Sequence, residues 1–224
     1  LGAFDDSGAM GSWLTQVGET RYLYYVGWNL GVTVPFRNAI GLAISHKGQP
    51  FEKAYPGPIV DRTELEPHFC ASCSVLITEG LWRMWYLSCT GWSEPPEGIR
   101  HHYHIKSAES ADGIHWHREG RVAIPFKSAR EYAISRPSVL RDADGWHMWY
   151  SHRGESYRLG YAHSFDGYDW ARRDEDVGID VSSSGWDAEM ICYPHVIDLA
   201  GERYMFYNGN GFGRSGLGLA RLVR

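Results

Sequence analysis

Four tetrapeptides, Tyr22-Leu23-Tyr24-Tyr25, Arg83-Met84-Trp85-Tyr86, His147-Met148-Trp149-Tyr150 and Tyr204-Met205-Phe206-Tyr207, repeat one apolar strand at a spacing of about 60 residues. A unit this short cannot bury its own apolar face, so it must stack on copies of itself. Few architectures satisfy that demand, and the flanks of each copy narrow them further. About ten residues upstream lies a short apolar run ending in Leu14, Leu76, Leu140 or Ile197. Downstream comes a third run, Ile40–Ser45, Ile105–Ser110, Leu159–Ser164 or Leu217–Ala220. Two copies then carry Asp112-Gly113 and Asp166-Gly167, each closed by a tryptophan, Trp116 or Trp170; the first copy has Lys47-Gly48 with Phe51. Asp-Gly between strand-like runs is a hairpin signal, because Gly accepts the positive φ of the turn.

Each copy therefore reads strand A, strand B, strand C, turn, strand D. The 14 Tyr, 10 Trp and 8 Phe suit half-buried pleated surfaces, and 26 Gly with 10 Pro interrupt every candidate helix. The chain reads as all-β. Four-stranded antiparallel units repeated around an axis are the blades of a β-propeller. A β-sandwich has no reason to repeat at this spacing. The 224 residues fit one propeller domain spanning 1–224. The chain opens just before a strand A, starts with Leu and ends in a strand C. A five-bladed ring with about four blades present, lacking an N-terminal one, is the expectation.

Composition excludes several partners. The net charge is −5 without a Lys/Arg run, which argues against nucleic acid. No apolar stretch reaches the roughly 18 residues of a membrane helix. The four cysteines, Cys70, Cys73, Cys89 and Cys192, give one isolated C-x2-C pair and no zinc spacing. They read as buried free thiols in a reducing, cytoplasmic compartment. His101, His102 and His104 read as a solvated strand edge rather than a metal site. No metal or cofactor is expected, a calcium ion on the channel axis aside.

In a propeller, the residues just ahead of strand A and those in the B–C loops converge on one mouth. Aligned on Leu14, Leu76, Leu140 and Ile197, the position eight residues upstream holds Asp6, His68, Tyr132 and Glu189. The first copy has a longer A–B spacing, so Asp5 or Ser7 can take the place of Asp6. Four residues upstream stand Met10, Ser72, Arg136 and Tyr193. The B–C loops add Trp28 and Asn29, Thr90 and Trp92, His152 and Arg153, and Asn208 with Asn210. Glycosidic cleavage needs one carboxyl to protonate the leaving oxygen and a second to activate water or attack carbon. Asp6 and Glu189, with Asp5 beside the first, are the catalytic candidates. Glu189 is the better acid, because Trp186, Met190 and Ile191 surround it in sequence and apolar neighbours favour a protonated carboxyl. Arg136, His68, Tyr132, Tyr193, Trp28, Asn29, Trp92, Arg153 and Asn208 are the sugar-binding candidates. Asp187 is expected on the opposite face from Glu189. The alternatives are a phosphorylase or transglycosylase, and a propeller that binds carbohydrate without cleaving it.

The Met-Trp-Tyr strand, the Tyr161–Trp170 hairpin and Ser135-Arg136-Pro137-Ser138 resemble the five-bladed glycosidase superfamily of arabinanases, xylosidases, invertases and levansucrases. Phe4–Gly8, Tyr207–Gly211 and Glu189–Pro194 resemble segments of its uncharacterised branch. The resemblance implies a funnel-shaped pocket ringed by acids and a furanose-type or other small substrate. It implies that Glu189 is the acid and that Asp6 is the base or an orienting acid. Ser135-Arg136-Pro137 stands where those families carry Arg-Asp-Pro, without the aspartate.

Overall fold

The computed structural model describes residues 1–223. Strand follows strand along the chain. Among the described residues the only helical segments are a 3-10 turn at Asp174–Val177 and a tight turn at Asn210–Gly213. Two compact units divide it, Leu1–Val122 and the residues from Ala123 onward.

In the first unit, β1 (Gly8–Val17), β2 (Thr20–Leu30), β3 (Phe36–His46) and β4 (Glu52–Lys53) form an antiparallel sheet in chain order. A second sheet holds β5 (Cys70–Thr78), β6 (Leu81–Ser93) and β7 (Arg100–Ser110), extended by a bridge from Glu109 to His117. The short β8 (Val122–Ile124) falls where the chain passes from one unit to the other. In the second unit, β9 (Ala133–Asp142), β10 (Gly145–Arg153), β11 (Tyr157–Ser164) and β12 (Ala171–Arg172) are hydrogen-bonded neighbours in chain order. β13 (Cys192–Leu199), β14 (Glu202–Asn208) and β15 (Leu217–Arg221) form a further sheet. The A–B–C order read from the repeat is present four times, and the four tetrapeptides lie within β2, β6, β10 and β14.

Within each unit the two sheets share a core. Tyr24, Ile40 and Leu42 of the first sheet pack with Cys73, Val75 and Met84 of the second. Trp149 and Leu159 pack in the same way with Val196, Met205 and Tyr207. Strand A of one sheet is pinned to strand A of the next by serine. Ser12 Oγ accepts from Cys73 N at 2.7 Å, and Ser138 Oγ accepts from Val196 N at 2.9 Å. The Asp-Gly turns are built alike in both copies. Asp112 Oδ1 accepts from Ile114 N and His115 N at 2.8 Å each. Asp166 Oδ1 accepts from Tyr168 N and Asp169 N at 2.8 and 2.9 Å. These side-chain bonds stand in for the missing backbone partners of the turn. The four cysteines are buried and free.

The last tyrosine of each tetrapeptide does a second job. It sits opposite Gly41, Lys106, Gly160 or Gly218 on the neighbouring strand. Where the partner is glycine, the tyrosine ring lies across it; a Cβ on Gly218 would stand 2.2 Å from Tyr207 Cζ. The hydroxyl then reaches a carboxylate. Tyr25 donates to Asp5 (3.1 Å), Tyr86 to Glu66 (2.7 Å), Tyr150 to Asp174 (2.5 Å) and Tyr207 to Asp187 (3.2 Å). In the second copy Lys106 replaces the glycine, and its Nζ joins Glu66 at 3.1 Å. Asp5, Glu66 and Asp187 each stand 20 residues ahead of their tyrosine. Arg130 occupies that place in the third copy, and Tyr150 turns to Asp174 instead.

Every A–B pair also carries a bulge: between Gly11 and Trp13, Cys70 and Cys73, Trp149 and Ser151, and Cys192 and His195. A bulge re-aims side chains at a strand end. In the second unit it leaves Arg136 and Tyr193, each followed by proline, with φ of 52° and 60°. Bulky residues seldom hold such φ values, and those that do cluster at functional sites.

Candidate functional site

The observed register corrects the alignment of the four strand-A entries. Ala9 lies opposite Gly27, Cys70 opposite Ser88 and Ile134 opposite His152. Two residues before these stand Ser7, His68 and Tyr132; Glu189 fills the place in the fourth copy. Ser7, not Asp6, is therefore the equivalent residue of the first copy. The cause is the anchor: Leu14 pairs with Leu23 as Val75 pairs with Met84, so Leu14 is the equivalent of Val75 and not of Leu76.

In the first unit the two neighbouring aspartates have separate surroundings. The Asp5 side chain is buried, and Lys53 and Tyr25 both hold Oδ2. Lys53, with Tyr25 adding to it, keeps this carboxyl below the ordinary range despite burial. It is the first-copy member of the tyrosine–carboxylate set, turned inward. Asp6 is exposed and accepts from Gly2 N (2.7 Å), Asn29 Nδ2 (2.7 Å) and Ser7 Oγ (3.0 Å). Its carboxyl is lowered, chiefly by the Gly2 amide and then by Ser7. Asn29 also donates to Ala3 O at 2.8 Å, which ties the N-terminal turn to the end of β2.

Trp28 and Trp92 are not separate platforms. Phe36 stands between them, with ring centroids 4.8 Å from Trp28 and 5.5 Å from Trp92. Phe69 and His101 complete the cluster. His68, half-buried, directly precedes Phe69. The three histidines are likewise not a solvated edge: all are half-buried within β7. His102 Nε2 lies 2.7 Å from Ser93 Oγ. Burial, with Lys106 nearby, takes His104 down to about 4. Among the described residues no group of His, Cys, Asp and Glu suits a metal ion.

In the second unit the structure brings most of the sequence candidates together. Arg136 lies 5.2 Å over the Tyr193 ring. Arg153 lies between two rings, 5.5 Å from Tyr132 and 5.4 Å from Tyr157. Tyr157 and Tyr193 are in contact at 6.1 Å, and Phe212 stacks on Tyr193 at 6.0 Å. Ser151 Oγ fixes Tyr193 by accepting its N–H at 2.7 Å. Burial, with Tyr157 and Cys192 beside it, raises the Tyr193 phenol, so it stays protonated and able to donate.

Glu189 is exposed at the end of a bend rather than enclosed by apolar side chains, and it is Ile191 that enters the core. Its main chain is held on both sides. Asn210 Oδ1 accepts from Glu189 N at 2.9 Å and Met190 N at 3.1 Å, and Arg158 Nη1 donates to Glu189 O at 3.0 Å. Asp187 is buried against Tyr207 while Glu189 is exposed; residues two apart in an extended strand share a face, and the bend over residues 186–189 is what separates them. Asn208 donates to Phe212 O at 2.9 Å and so shapes the turn rather than the pocket. That turn links the parts: Asn210 clamps Glu189, and Phe212, at φ 62°, stacks on Tyr193. Sequence reasoning does not find Tyr157 or Phe212. The Tyr207–Gly211 segment is the nearest signal for the second.

Solved structures with this fold include glycoside hydrolases. BT0996, in its complex with RGII, matches with a TM-score of 0.73 at 19% identity, covering 100% of this chain and 72% of that protein. A thermostable family-43 glycoside hydrolase matches with a TM-score of 0.68 at 14% identity, covering 96% and 90%. The fold is the one these glycoside hydrolases have. No protein-family model matches the chain. In sequence it is 45% identical over 221 residues to the uncharacterised protein Rv1502 of Mycobacterium tuberculosis, covering 99% of this chain and 73% of that protein. The chain belongs to the family of that mycobacterial protein.

Proposed function

We propose that the protein is a glycoside hydrolase acting on a small or furanose-type sugar, with Glu189 donating the proton to the leaving oxygen. The observation that carries this reading is the clamp on Glu189. Three main-chain hydrogen bonds present an exposed carboxyl beside a turn whose Phe212 belongs to an arginine–tyrosine cluster. A donor group must be held in place to act, and ring faces with guanidinium and phenol donors suit a sugar's apolar face and hydroxyls. The likeness to glycoside hydrolases supports the same reaction class. Two-carboxylate chemistry needs an ionised partner. Asp6, exposed and kept ionised by its three donors, is the candidate for that role, whereas Asp5 is assigned to the frame.

The test is hydrolysis of aryl glycosides, furanosides included, with leaving groups of graded acidity. Glu189→Gln is expected to lower kcat/KM by about 10²–10⁴-fold for poor leaving groups. The loss shrinks as the leaving phenol becomes more acidic, because such a phenol needs no proton. A uniform loss, or none, removes Glu189 as the acid. Asp6→Asn is expected to lower kcat for every substrate alike; an unchanged kcat returns Asp6 to a purely structural cap.

A further inference from the structure

The buried and half-buried arginines of the second unit mostly spend their charge on carboxylates. Arg172 grips Glu131 through both terminal nitrogens at 2.6 Å and reaches Asp174 at 2.9 Å. Arg203 holds Asp198 and Asp142 at 2.7 and 3.0 Å. Arg158 lies 3.3 Å from Asp180. Arg153 is different. It is half-buried, yet its one side-chain hydrogen bond goes to the Glu155 carbonyl at 3.4 Å, and it meets no carboxylate among the described residues.

Its surroundings are rings. Tyr132 and Tyr157 take the guanidinium at 5.5 and 5.4 Å, Tyr157 touches Tyr193, and Tyr193 carries Arg136 at 5.2 Å. The result is one run of contacts, Tyr132–Arg153–Tyr157–Tyr193–Arg136. Cation–π contacts satisfy the faces of a guanidinium and leave its N–H edge to other partners. That edge matches a carboxylate or phosphate in a two-pronged way. We propose that Arg153, supported by Arg136, binds an anionic substituent, a carboxylate or a phosphate, on the sugar this protein takes. The proposal rests on the glycoside reading of this site and names the substrate class.

The test is binding, which does not depend on turnover. Calorimetry or NMR titration compares glucuronate, galacturonate and glucose 6-phosphate with glucose and galactose, and adds inorganic phosphate alone. At least one anionic sugar is expected to bind tenfold or more tightly than its neutral counterpart. Arg153→Gln is expected to abolish that preference, so that the anionic sugar binds no more tightly than its neutral counterpart. Arg153→Lys, which keeps the charge without the fork, is expected to retain part of it and controls for folding. The uronate and phosphate arms tell the two anions apart. Equal binding of charged and neutral sugars, or a preference that survives Arg153→Gln, overturns the proposal. So does the absence of any anion binding. Phosphate binding that Arg153→Gln removes, in a protein that cleaves no glycoside, would uphold the anion site while the hydrolase reading fails.

Discussion

Glu66 offers the sharpest test of the tyrosine–carboxylate frame. Its side chain is 1% exposed and sits between Arg118 Nη1 at 2.8 Å and Lys106 Nζ at 3.1 Å, with the Tyr86 hydroxyl at 2.7 Å. Both cations are nearly buried too, at 10% and 11%. One carboxylate thus serves two positive charges and one hydroxyl. Glu66→Gln keeps the shape and removes the negative charge, leaving two nearly buried cations beside an amide that must point its own N–H₂ at one of its former donors. Breaking a buried pair by deleting one partner costs about 3–5 kcal/mol. For a chain of this length each kcal/mol moves Tm by about 2–4 °C, so a fall of roughly 6–20 °C is expected. Urea unfolding followed by tryptophan fluorescence reads the same quantity. A double-mutant cycle sharpens it. Lys106→Met alone should destabilise, because it removes a partner of Glu66. In the Glu66→Gln background it should stabilise, because it removes an uncompensated charge. The coupling between the two should be about 1–3 kcal/mol. A Glu66→Gln cost under about 1 kcal/mol, or additive single effects, would refute the reasoning.

Two other outcomes follow from the same frame. Gly160→Ala places a Cβ 2.4 Å from the Tyr150 ring and 2.6 Å from Asp174 Oδ1, so a loss of about 1–3 kcal/mol is expected in thermal melts. Gly91→Ala, which meets nothing within 4 Å, should stay within about 0.5 kcal/mol of the parent, and equal losses at both positions would sink the close-packing account. Acid stability should depend on Glu131. Burial pushes its carboxyl up, but Arg172, His152 and the Lys127 N–H outweigh that and bring it to about 2. The folded pKa lies below the unfolded one, so the unfolded chain binds more protons. This contribution is present above about pH 4.5 and is lost as the pH falls toward 2. In Glu131→Gln the slope of stability against pH should flatten in that window; an unchanged slope assigns the acid sensitivity elsewhere.

What the sequence makes legible is local. The tetrapeptides, the Asp-Gly turns and the serine- and proline-bearing strand A segments each encode their geometry within ten or so residues, through alternation and turn chemistry. What it hides is which strand-A residue is equivalent from copy to copy. Leu14 pairs with Leu23 in the place that Val75, Val139 and Val196 hold in the other copies, one position before the residues it resembles, and a one-residue slip in a strand reverses which side chain faces where. Alignment by sequence alone thereby groups Asp6 with His68, Tyr132 and Glu189, a place the register gives to Ser7. The burial of Asp5 is hidden for another reason, since a tyrosine lying across the facing strand is a tertiary event. Yet a signal for it is present: Asp5, Glu66 and Asp187 precede the repeated tyrosine by the same 20 residues.

That constant spacing separates frame from function without any comparison to other proteins. A residue needed to close each sheet must recur in nearly every copy, as the tyrosine and its carboxylate do. A residue needed for chemistry serves one pocket, so the copies are free to differ there. Two positions after the recurring carboxylate stand Ser7, His68, Tyr132 and Glu189, four unlike side chains on one scaffold position. At the bulge of the second unit stand Arg136 and Tyr193, again unlike and both at positive φ. The copies agree where the tyrosine rings cross glycine and diverge where the strands begin, and divergence on a repeated backbone is what a binding surface made of repeats requires. By that criterion Asp5 and Asp187, though acidic and close in sequence to the candidates, belong to the scaffold, which is why the proton-donating role is proposed for Glu189 and not for either of them.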